Sequence, residues 1–193
     1  MKDIFLVTNP NDYLVLVNKF NRLPKDYIPN DLELINDNYS DPKQYLRKKA
    51  KIAFESMASD AKKMGLNIKA VSTYRSYDYQ EKLFNNYVKE LGLEYANMCS
   101  AKSGHSEHQL GLAVDIANDT LDYDNFDRTK EFNWVYNNAY KYGFILRYPK
   151  DKINITKYKY EPWHYRYVGN TNIAKYLFDN NLTLEEYNEY INS

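Results

Sequence analysis

Histidine is the scarcest residue that could do chemistry in this chain, with three copies among 193 residues. His105 and His108 lie in a polar segment that runs into Asp115, and His164 follows much later. A catalytic zinc ion takes three protein ligands of nitrogen or oxygen type and keeps a fourth position for water. His108, Asp115 and His164 supply that set. His105 lies beside a glycine in the polar segment, so we expect it to support a ligand or to face solvent.

Asp115 lies within an apolar stretch, residues 112–117, that predicts a buried strand. An ionised carboxylate in such surroundings is costly unless a metal ion or another cation pairs with it. Spacing alone leaves two interpretations open. One is a zinc site, and the other is a buried aspartate that accepts backbone hydrogen bonds, beside two unrelated histidines.

Glu161 precedes His164 by three residues, in the sequence Glu-Pro-Trp-His. Water on a metal becomes a useful nucleophile near neutral pH when a neighbouring carboxylate takes its proton. The spacing therefore predicts that Glu161 is a general base, while the alternative is a surface glutamate before a proline. The helical signature HExxH is absent from the sequence, which excludes a zinc peptidase of the thermolysin type.

Two separated motifs resemble those of the zinc-dependent D-Ala-D-Ala metallopeptidases. Residues 106–115 resemble the motif S-x-H-x-x-G-x-A-x-D, and residues 161–164 resemble the element E-x-x-H. The group also contains lysostaphin-type enzymes and the hedgehog amino-terminal domain, and this chain is most similar to its VanY and VanXY D,D-carboxypeptidases and related L,D-carboxypeptidases. The resemblance extends over about residues 14–191. Three further segments also fit it, namely 74–80, 142–149 and 182–187.

The resemblance implies a zinc peptidase that removes a C-terminal D-alanine from peptidoglycan stem peptides. One zinc ion per chain would be bound by His108, Asp115 and His164. Glu161 would act as general base and then as acid towards the leaving amine. Arg75 resembles the arginine that polarises the scissile carbonyl and stabilises the oxyanion. The alternative for Arg75 is a surface salt bridge.

Residues that contact the substrate are also implied by the resemblance. Ser106 and Gln80 resemble residues that hold the substrate, and Trp163 is expected to form a wall of the pocket, with a plain core position as the alternative. Relatives often carry a proline before the position of Gly104, where this chain has Ser103. That departure puts the substrate preference in doubt more than the chemistry.

Three functions remain in competition at this point. A D,D-carboxypeptidase that acts on stems ending in D-Ala-D-Ala is the leading interpretation. An L,D-carboxypeptidase that trims tetrapeptide stems would use the same metal and mechanism, and sequence does not separate the two. A non-catalytic zinc-binding interaction module is a different class. The presence of both Glu161 and Arg75 argues against it, because such a module needs neither a base nor an oxyanion partner.

The elements that must position these residues mix helices and strands without regular alternation, which favours an α+β fold. We predict a single domain over residues 1–193, in which a small antiparallel sheet carries the zinc site and helices flank it. Ser76 is predicted to cap one helix, and Thr183 with Glu186 forms a capping box before the last helix. Helices are predicted over 40–64, 76–91, 126–142, 173–178 and 184–191, and strands over 13–17, 68–73, 112–117, 144–148 and 165–168.

The composition is that of a globular protein, with 44% hydrophobic and 27% charged residues. Because 26 basic residues balance 26 acidic ones, no overall positive field favours nucleic acid or an anionic membrane. The single cysteine, Cys99, excludes an internal disulfide framework. The apolar run at residues 4–7 is too short for a signal peptide or a membrane span. We therefore expect a cytoplasmic protein, or one whose export segment is not part of this sequence.

Overall fold

A computed structural model describes residues 3–192 of the chain, and short strands alternate irregularly with helices in it. The strands are β1 (Phe5–Leu6), β2 (Asn21–Arg22), β3 (Leu32–Leu34), β4 (Tyr45–Arg47), β5 (Lys69–Ser72), β6 (Ala113–Ala117), β7 (Phe144–Leu146) and β8 (His164–Tyr167). The helices are α1 (Lys48–Lys63), α2 (Tyr77–Leu91), α3 (Leu93–Cys99), α4 (Lys130–Asn138), α5 (Ile153–Thr156), α6 (Thr171–Asp179) and α7 (Leu184–Asn192).

The central sheet has four strands in the order β5-β6-β8-β7, and every neighbouring pair in it is antiparallel. Two smaller ladders lie outside it, a parallel pair of β1 with β2 and an antiparallel pair of β3 with β4. The register of the central sheet places Asp115 opposite both Ser72 and His164. The predicted α+β class, with a small antiparallel sheet flanked by helices, is confirmed.

The main core lies between the central sheet and α1. The apolar face of α1 includes Ala50, Phe54 and Met57, and it packs in one cluster with Val114 of β6 and Phe144 of β7. The rings of Phe54 and Phe144 meet edge to face at 6.5 Å. Because Phe54 is fully buried, its replacement by alanine would cost roughly 3–5 kcal/mol of folding stability. This core holds the central sheet in place, and other residues of the same sheet contribute to the site.

A second apolar cluster attaches the C-terminal helices to the sheet. Ile145 of β7 and Val168 after β8 pack there against Ala174 and Leu177 of α6 and Leu184 of α7. Both C-terminal helices were predicted from apolar spacing, and both are present. The described part of the chain contains no helix with the length and apolar character needed to cross a bilayer.

Two predicted helix caps are confirmed. The Ser76 side chain accepts a hydrogen bond from the backbone N–H of Tyr79 at the start of α2. Before α7, the hydroxyl of Thr183 accepts from the N–H of Glu186 at 3.2 Å, and the Glu186 carboxylate accepts from the N–H of Thr183 at 2.8 Å. Each cap satisfies backbone donors that a helix leaves unpaired at its N-terminus.

Three element predictions were wrong, in whole or in part. Residues 13–17 form no strand, because the carbonyls of Tyr13 and Val15 accept hydrogen bonds from the side chain of Arg166 instead of from a strand partner. The helix expected to begin at residues 40–42 begins only at Lys48, because the N–H of Asp41 donates to the carbonyl of Ala70. The helix predicted over 126–142 is divided into a 3₁₀ turn (Phe126–Arg128), α4 and a second 3₁₀ turn (Ala139–Tyr142).

Candidate metal centre and catalytic cavity

His108, Asp115 and His164 converge at one point of the central sheet. Asp115 on β6 lies opposite His164 on β8, and His108 lies in the 3₁₀ turn Glu107–Leu110 that precedes β6. All three are buried, and each offers a ligand atom within 4.8 Å of the other two. Gly111 joins the turn to β6 with a φ of +66°, and a Cβ there would lie 2.8 Å from Leu32. Glycine is therefore strongly favoured where the chain turns from His108 into the strand.

The Asp115 carboxylate lies between the two imidazole rings. Its Oδ2 is 3.3 Å from His108 Nε2, and its Oδ1 is 3.0 Å from His164 Nδ1. His108 Nδ1 lies 2.6 Å from the carbonyl oxygen of Thr73. Since a carbonyl only accepts, this contact places the proton of a neutral His108 on Nδ1 and leaves a lone pair on Nε2. One nitrogen of His108 and one carboxylate oxygen thus point to the same space.

His164 is oriented by a carboxylate that the sequence analysis did not identify. Its Nε2 faces Oε2 of Glu107 at 3.5 Å, and neither buried atom makes another hydrogen bond within the described residues. The other oxygen of Glu107 accepts from Arg147 and from Arg166, each at 2.7 Å. A carboxylate on the far nitrogen of a metal-binding histidine fixes its tautomer and ring orientation. Here it favours a proton on Nε2, which leaves Nδ1 free to face Asp115.

The electrostatics of the three residues favour a positive charge between them. Burial alone would raise the pKa of Asp115, but His108, His164 and Arg75 hold that pKa well below its usual range. Burial alone would lower the pKa of His164, but its contacts with Asp115 and Glu107 raise it. In the metal-free protein, a proton on His164 supplies this positive charge. Two nitrogens and one carboxylate in a buried site also match the donor set of a catalytic zinc ion.

Glu161 lies at the edge of this group, with Oε2 3.7 Å from His164 Nδ1. Its side chain is 12% exposed. Burial raises the pKa of Glu161 to about 7. The charge of His164 acts to lower this pKa, and the charge of Asp115 acts to raise it. A carboxyl group with such a pKa can take up and release a proton near neutral pH, as a general base requires.

Arg75 follows β5 and reaches the same group. Its Nη2 is 2.8 Å from Asp115 Oδ2, its Nε donates to Ser72 Oγ at 2.9 Å, and its Nη1 lies 3.5 Å from Gln80 Oε1. These contacts hold the guanidinium in a fixed orientation beside the cavity. The alternative of a salt bridge at the molecular surface does not describe it, because its partner Asp115 is buried.

A cavity of about 260 Å³ opens onto these residues. Ser106, Gln80 and Trp163, which the sequence analysis assigned to substrate binding, all line it. The amide of Gln80 donates to the carbonyl of Ala101 at 2.8 Å, and Ser106 Oγ accepts from the N–H of His108 at 3.3 Å. Both side chains therefore shape the wall as well as face the cavity. Trp163 is partly buried and meets Tyr123, which also lines the cavity, edge to face at 5.2 Å.

His105 lies outside the group. Its Nδ1 is 2.7 Å from the carbonyl oxygen of Asn18, and the residue is buried rather than turned to solvent. The structure also adds Glu107, Arg147 and Arg166, none of which the sequence analysis singled out. Their sequence signal was an arginine inside each of two apolar strand segments, 144–148 and 165–168. A charge at such a position requires a buried partner.

Comparison with known proteins gives concordant matches. A sequence model of the family described as VanY: D-alanyl-D-alanine carboxypeptidase matches residues 43–170. The putative carboxypeptidase YodJ of Bacillus subtilis (strain 168) is 47% identical over 192 residues, which cover 96% of this chain and 70% of that protein.

Two solved structures are similar over most of their length. The LD-carboxypeptidase LdcB has a TM-score of 0.89 and 47% identity, covering 96% of this chain and 90% of that one. A mutant of the vancomycin resistance D,D-pentapeptidase VanY in complex with Zn(II) has a TM-score of 0.78 and 32% identity, covering 91% and 98%.

Proposed function

This chain belongs to the VanY family of D-alanyl-D-alanine carboxypeptidases, and from that premise we propose that it removes a C-terminal D-alanine from peptidoglycan stem peptides with the help of one zinc ion. The observation that carries the proposal is the convergence of His108, Asp115, His164 and Glu161 on one cavity. The fold is shared with a relative described as a Zn(II) complex, which supports zinc as the metal.

In this proposal His108 Nε2, Asp115 and His164 Nδ1 would hold the metal. When bound, the zinc ion would supply Lewis acidity towards the scissile carbonyl and the attacking water. Glu161 takes one proton from that water as it attacks the carbonyl carbon. The same carboxyl group then delivers the proton to the nitrogen of the departing D-alanine, so the C–N bond breaks and the proton balance closes.

Arg75 is proposed to stabilise the negative charge that develops on the carbonyl oxygen. Its guanidinium is pre-oriented by Asp115 and Ser72, so little reorganisation is needed when charge appears. Ser106, Gln80 and Trp163 would shape the pocket around the terminal residue. The joint presence of Glu161 and Arg75 at the cavity favours an enzyme over a non-catalytic zinc-binding module.

Of the two cleavage specificities, we propose L,D-carboxypeptidase activity on tetrapeptide stems. The support is the higher similarity to LdcB, described as an LD-carboxypeptidase, than to the D,D-pentapeptidase VanY. D,D-carboxypeptidase activity on pentapeptide stems, the leading expectation from sequence, is the second candidate. It is favoured by the family description and by a further similar structure, described as VanYB in complex with D-Alanine-D-Alanine.

Zinc-loaded protein incubated with synthetic tripeptide, tetrapeptide and pentapeptide stems separates these candidates by mass spectrometry. Conversion of tetrapeptide to tripeptide is the expected result and shows L,D cleavage, whereas conversion of pentapeptide to tetrapeptide shows D,D cleavage. The tripeptide should stay intact and serves as the control substrate. An absence of D-alanine release from both longer stems would refute the enzymatic proposal.

A further inference from the structure

A second cavity, of about 110 Å³, shares a wall with the catalytic cavity. Tyr158 lines both, and the segment 100–106 contributes to both as well. Within that segment Ser106 faces the catalytic cavity, while Lys102 and His105 face the second one. We call the second cavity, with Lys19, Lys102, His105 and Tyr158 in its walls, the lysine cavity.

The lysine cavity carries positive charge without a matching carboxylate. Lys19 and Lys102 form no ion pair within the described part of the chain. The Lys19 ammonium donates to the backbone carbonyl of Asn97 and lies 3.9 Å from the centroid of the Tyr158 ring. These contacts orient the ammonium but do not neutralise it. The two charges are also notable in a chain whose formal net charge is zero.

The positive charge on the Lys19 ammonium is unfavourable in the folded protein. Burial, followed by the like charge of Lys102, lowers the pKa of Lys19 to about 8, against opposing effects of Cys99 and Glu161. A structural lysine at such a depth normally has an acidic partner. A half-buried lysine that lines a cavity together with a second, exposed lysine, beside a catalytic centre, is instead a candidate for ligand binding.

His105 adds a buried polar group to the same wall. It is 8% exposed, and its Nδ1 is already occupied by the Asn18 carbonyl at 2.7 Å. Its remaining polar atom, Nε2, is thus available to a ligand in the cavity. Burial lowers the pKa of His105, so the ring is neutral at neutral pH in the free protein and the lysines supply the charge.

We propose that the lysine cavity binds a carboxylate of the substrate peptide. The inference rests on the proposed function, because a peptide with a free C-terminus or an acidic residue is the anion that function brings to the adjoining cavity. The catalytic cavity is lined by the carboxylates of Asp115 and Glu161, whereas the described residues that line the lysine cavity include no carboxylate. The two ammonium groups of the lysine cavity can form charge-assisted hydrogen bonds with a carboxylate of the substrate.

The test replaces each lysine by methionine, which keeps the length of the side chain and removes the charge. Lys19→Met and Lys102→Met are compared with Lys62→Met, an exposed lysine at the end of α1 that lines neither cavity. With zinc-loaded protein and stem peptides, we expect KM to rise roughly tenfold in the first two variants, about 1.4 kcal/mol of binding. Their kcat and zinc content should match those of Lys62→Met.

Amidated peptides identify the carboxylate. One peptide carries a C-terminal carboxamide, and another carries a carboxamide in place of an internal acidic group. For the peptide that lacks the bound carboxylate, wild type and Lys19→Met should have equal KM, because the interaction is absent from both. Equal KM in wild type and both lysine variants with every peptide would overturn the proposal.

Calorimetric titration of the same peptides separates this proposal from the proposed function. If Lys19→Met weakens peptide binding but the wild-type protein shows no turnover, the carboxylate-binding proposal is supported and the enzymatic proposal is refuted. Turnover in wild type with unchanged affinity in Lys19→Met would do the reverse. Absence of both binding and turnover in wild type would remove both.

Discussion

Asp115 and Glu161 are two carboxylates at one cavity whose surroundings drive their proton affinities apart. Asp115 contacts both histidines and Arg75, and these partners outweigh burial and keep it ionised. For Glu161, burial outweighs the opposing effects of His164 and Arg75 and raises the pKa to about 7. Paired carboxyl groups with opposite shifts are typical of sites where one holds a cation and the other moves a proton. This difference supports separate roles for the two residues.

Glu161→Gln separates chemistry from binding. Glutamine keeps the size and part of the hydrogen bonding of Glu161 but has no basicity, so turnover should fall by roughly a hundredfold to ten-thousandfold. Zinc content and peptide affinity should stay close to wild type, because Glu161 is not one of the three proposed ligands. D-alanine release, zinc content and peptide binding are measured on one preparation. Near-normal release would assign the base to another residue, and loss of zinc would make Glu161 a ligand or a structural support.

Lys19 predicts a pH dependence of stability. Its pKa is about 8 in the folded protein and about 10.5 when unfolded, so the unfolded chain binds more protons between these values. The free energy of unfolding therefore rises with pH between about 8 and 10.5 because of this group. Below about pH 8 the charged Lys19 destabilises the folded protein to its full extent. Lys19→Met should thus be most favourable relative to wild type near pH 7, and that advantage should shrink by pH 10. Urea unfolding at both pH values tests this, and a constant difference would contradict it.

At the scale of secondary structure, four elements meet at one buried ionic network. Glu107 in its 3₁₀ turn binds Arg147, which follows β7, and Arg166 on β8. Arg147 also donates two hydrogen bonds, each of 2.8 Å, to Glu185 of α7. Both arginines are fully buried, so each depends on its carboxylate partners to offset the loss of water. The network fixes the position of Glu107, and through it the ring of His164.

Glu107→Gln tests this positioning. The amide oxygen should stay with the two arginines, which only donate, so the NH₂ group would face His164 Nε2. Two donors cannot face each other, and the proton of His164 would move to Nδ1, the proposed metal-binding atom. Zinc affinity, measured by competition with a chelator, should fall roughly ten- to a hundredfold.

Glu185→Gln is the matched control for that variant, because it weakens the network but leaves Glu107 facing His164. Its melting temperature should fall while its zinc affinity stays near wild type. Equal loss of zinc affinity in both variants would mean that the network acts only through overall stability. Unchanged affinity in Glu107→Gln would remove Glu107 as a positioning residue.

The elements that sequence predicted are those whose signals are local. Ser76 caps α2, and the capping box of Thr183 with Glu186 starts α7, because both interactions join residues three positions apart. The segment 13–17 was predicted as a strand from its apolar, β-branched residues. Its carbonyls are satisfied by Arg166, which lies about 150 positions later, and no local pattern shows such a partner.

The same distinction applies to the site. His108, Asp115, His164 and Glu161 could be singled out because their types and spacing match a known motif, and the structure brings them together. Glu107 stood one position before His108 and was missed, since its role depends on arginines 40 and 59 positions away.

At the scale of the whole molecule, the network near the proposed metal site also contacts an N-terminal segment and the C-terminal helix of the described chain. Glu185 of α7 accepts from Asn18 at 3.2 Å, and Arg166 donates to the carbonyls of Tyr13 and Val15. The N-terminal segment and the C-terminal helix are thus joined beside the sheet strand that carries His164. Any ligand that stabilises this strand should therefore stabilise the molecule as a unit.

Zinc removal should lower the melting temperature for this reason. A ligand that binds only the folded state adds about 2.7 kcal/mol when its free concentration is a hundred times Kd. For a chain of this size each kcal/mol corresponds to roughly 2–4 °C, so excess chelator should lower the melting temperature by roughly 5–11 °C. His164→Ala keeps two of the three proposed ligands and should bind zinc far more weakly. Its melting temperature should respond little to chelator, whereas a full response would place the stabilising metal elsewhere, and no response in wild type would contradict a structural contribution from zinc.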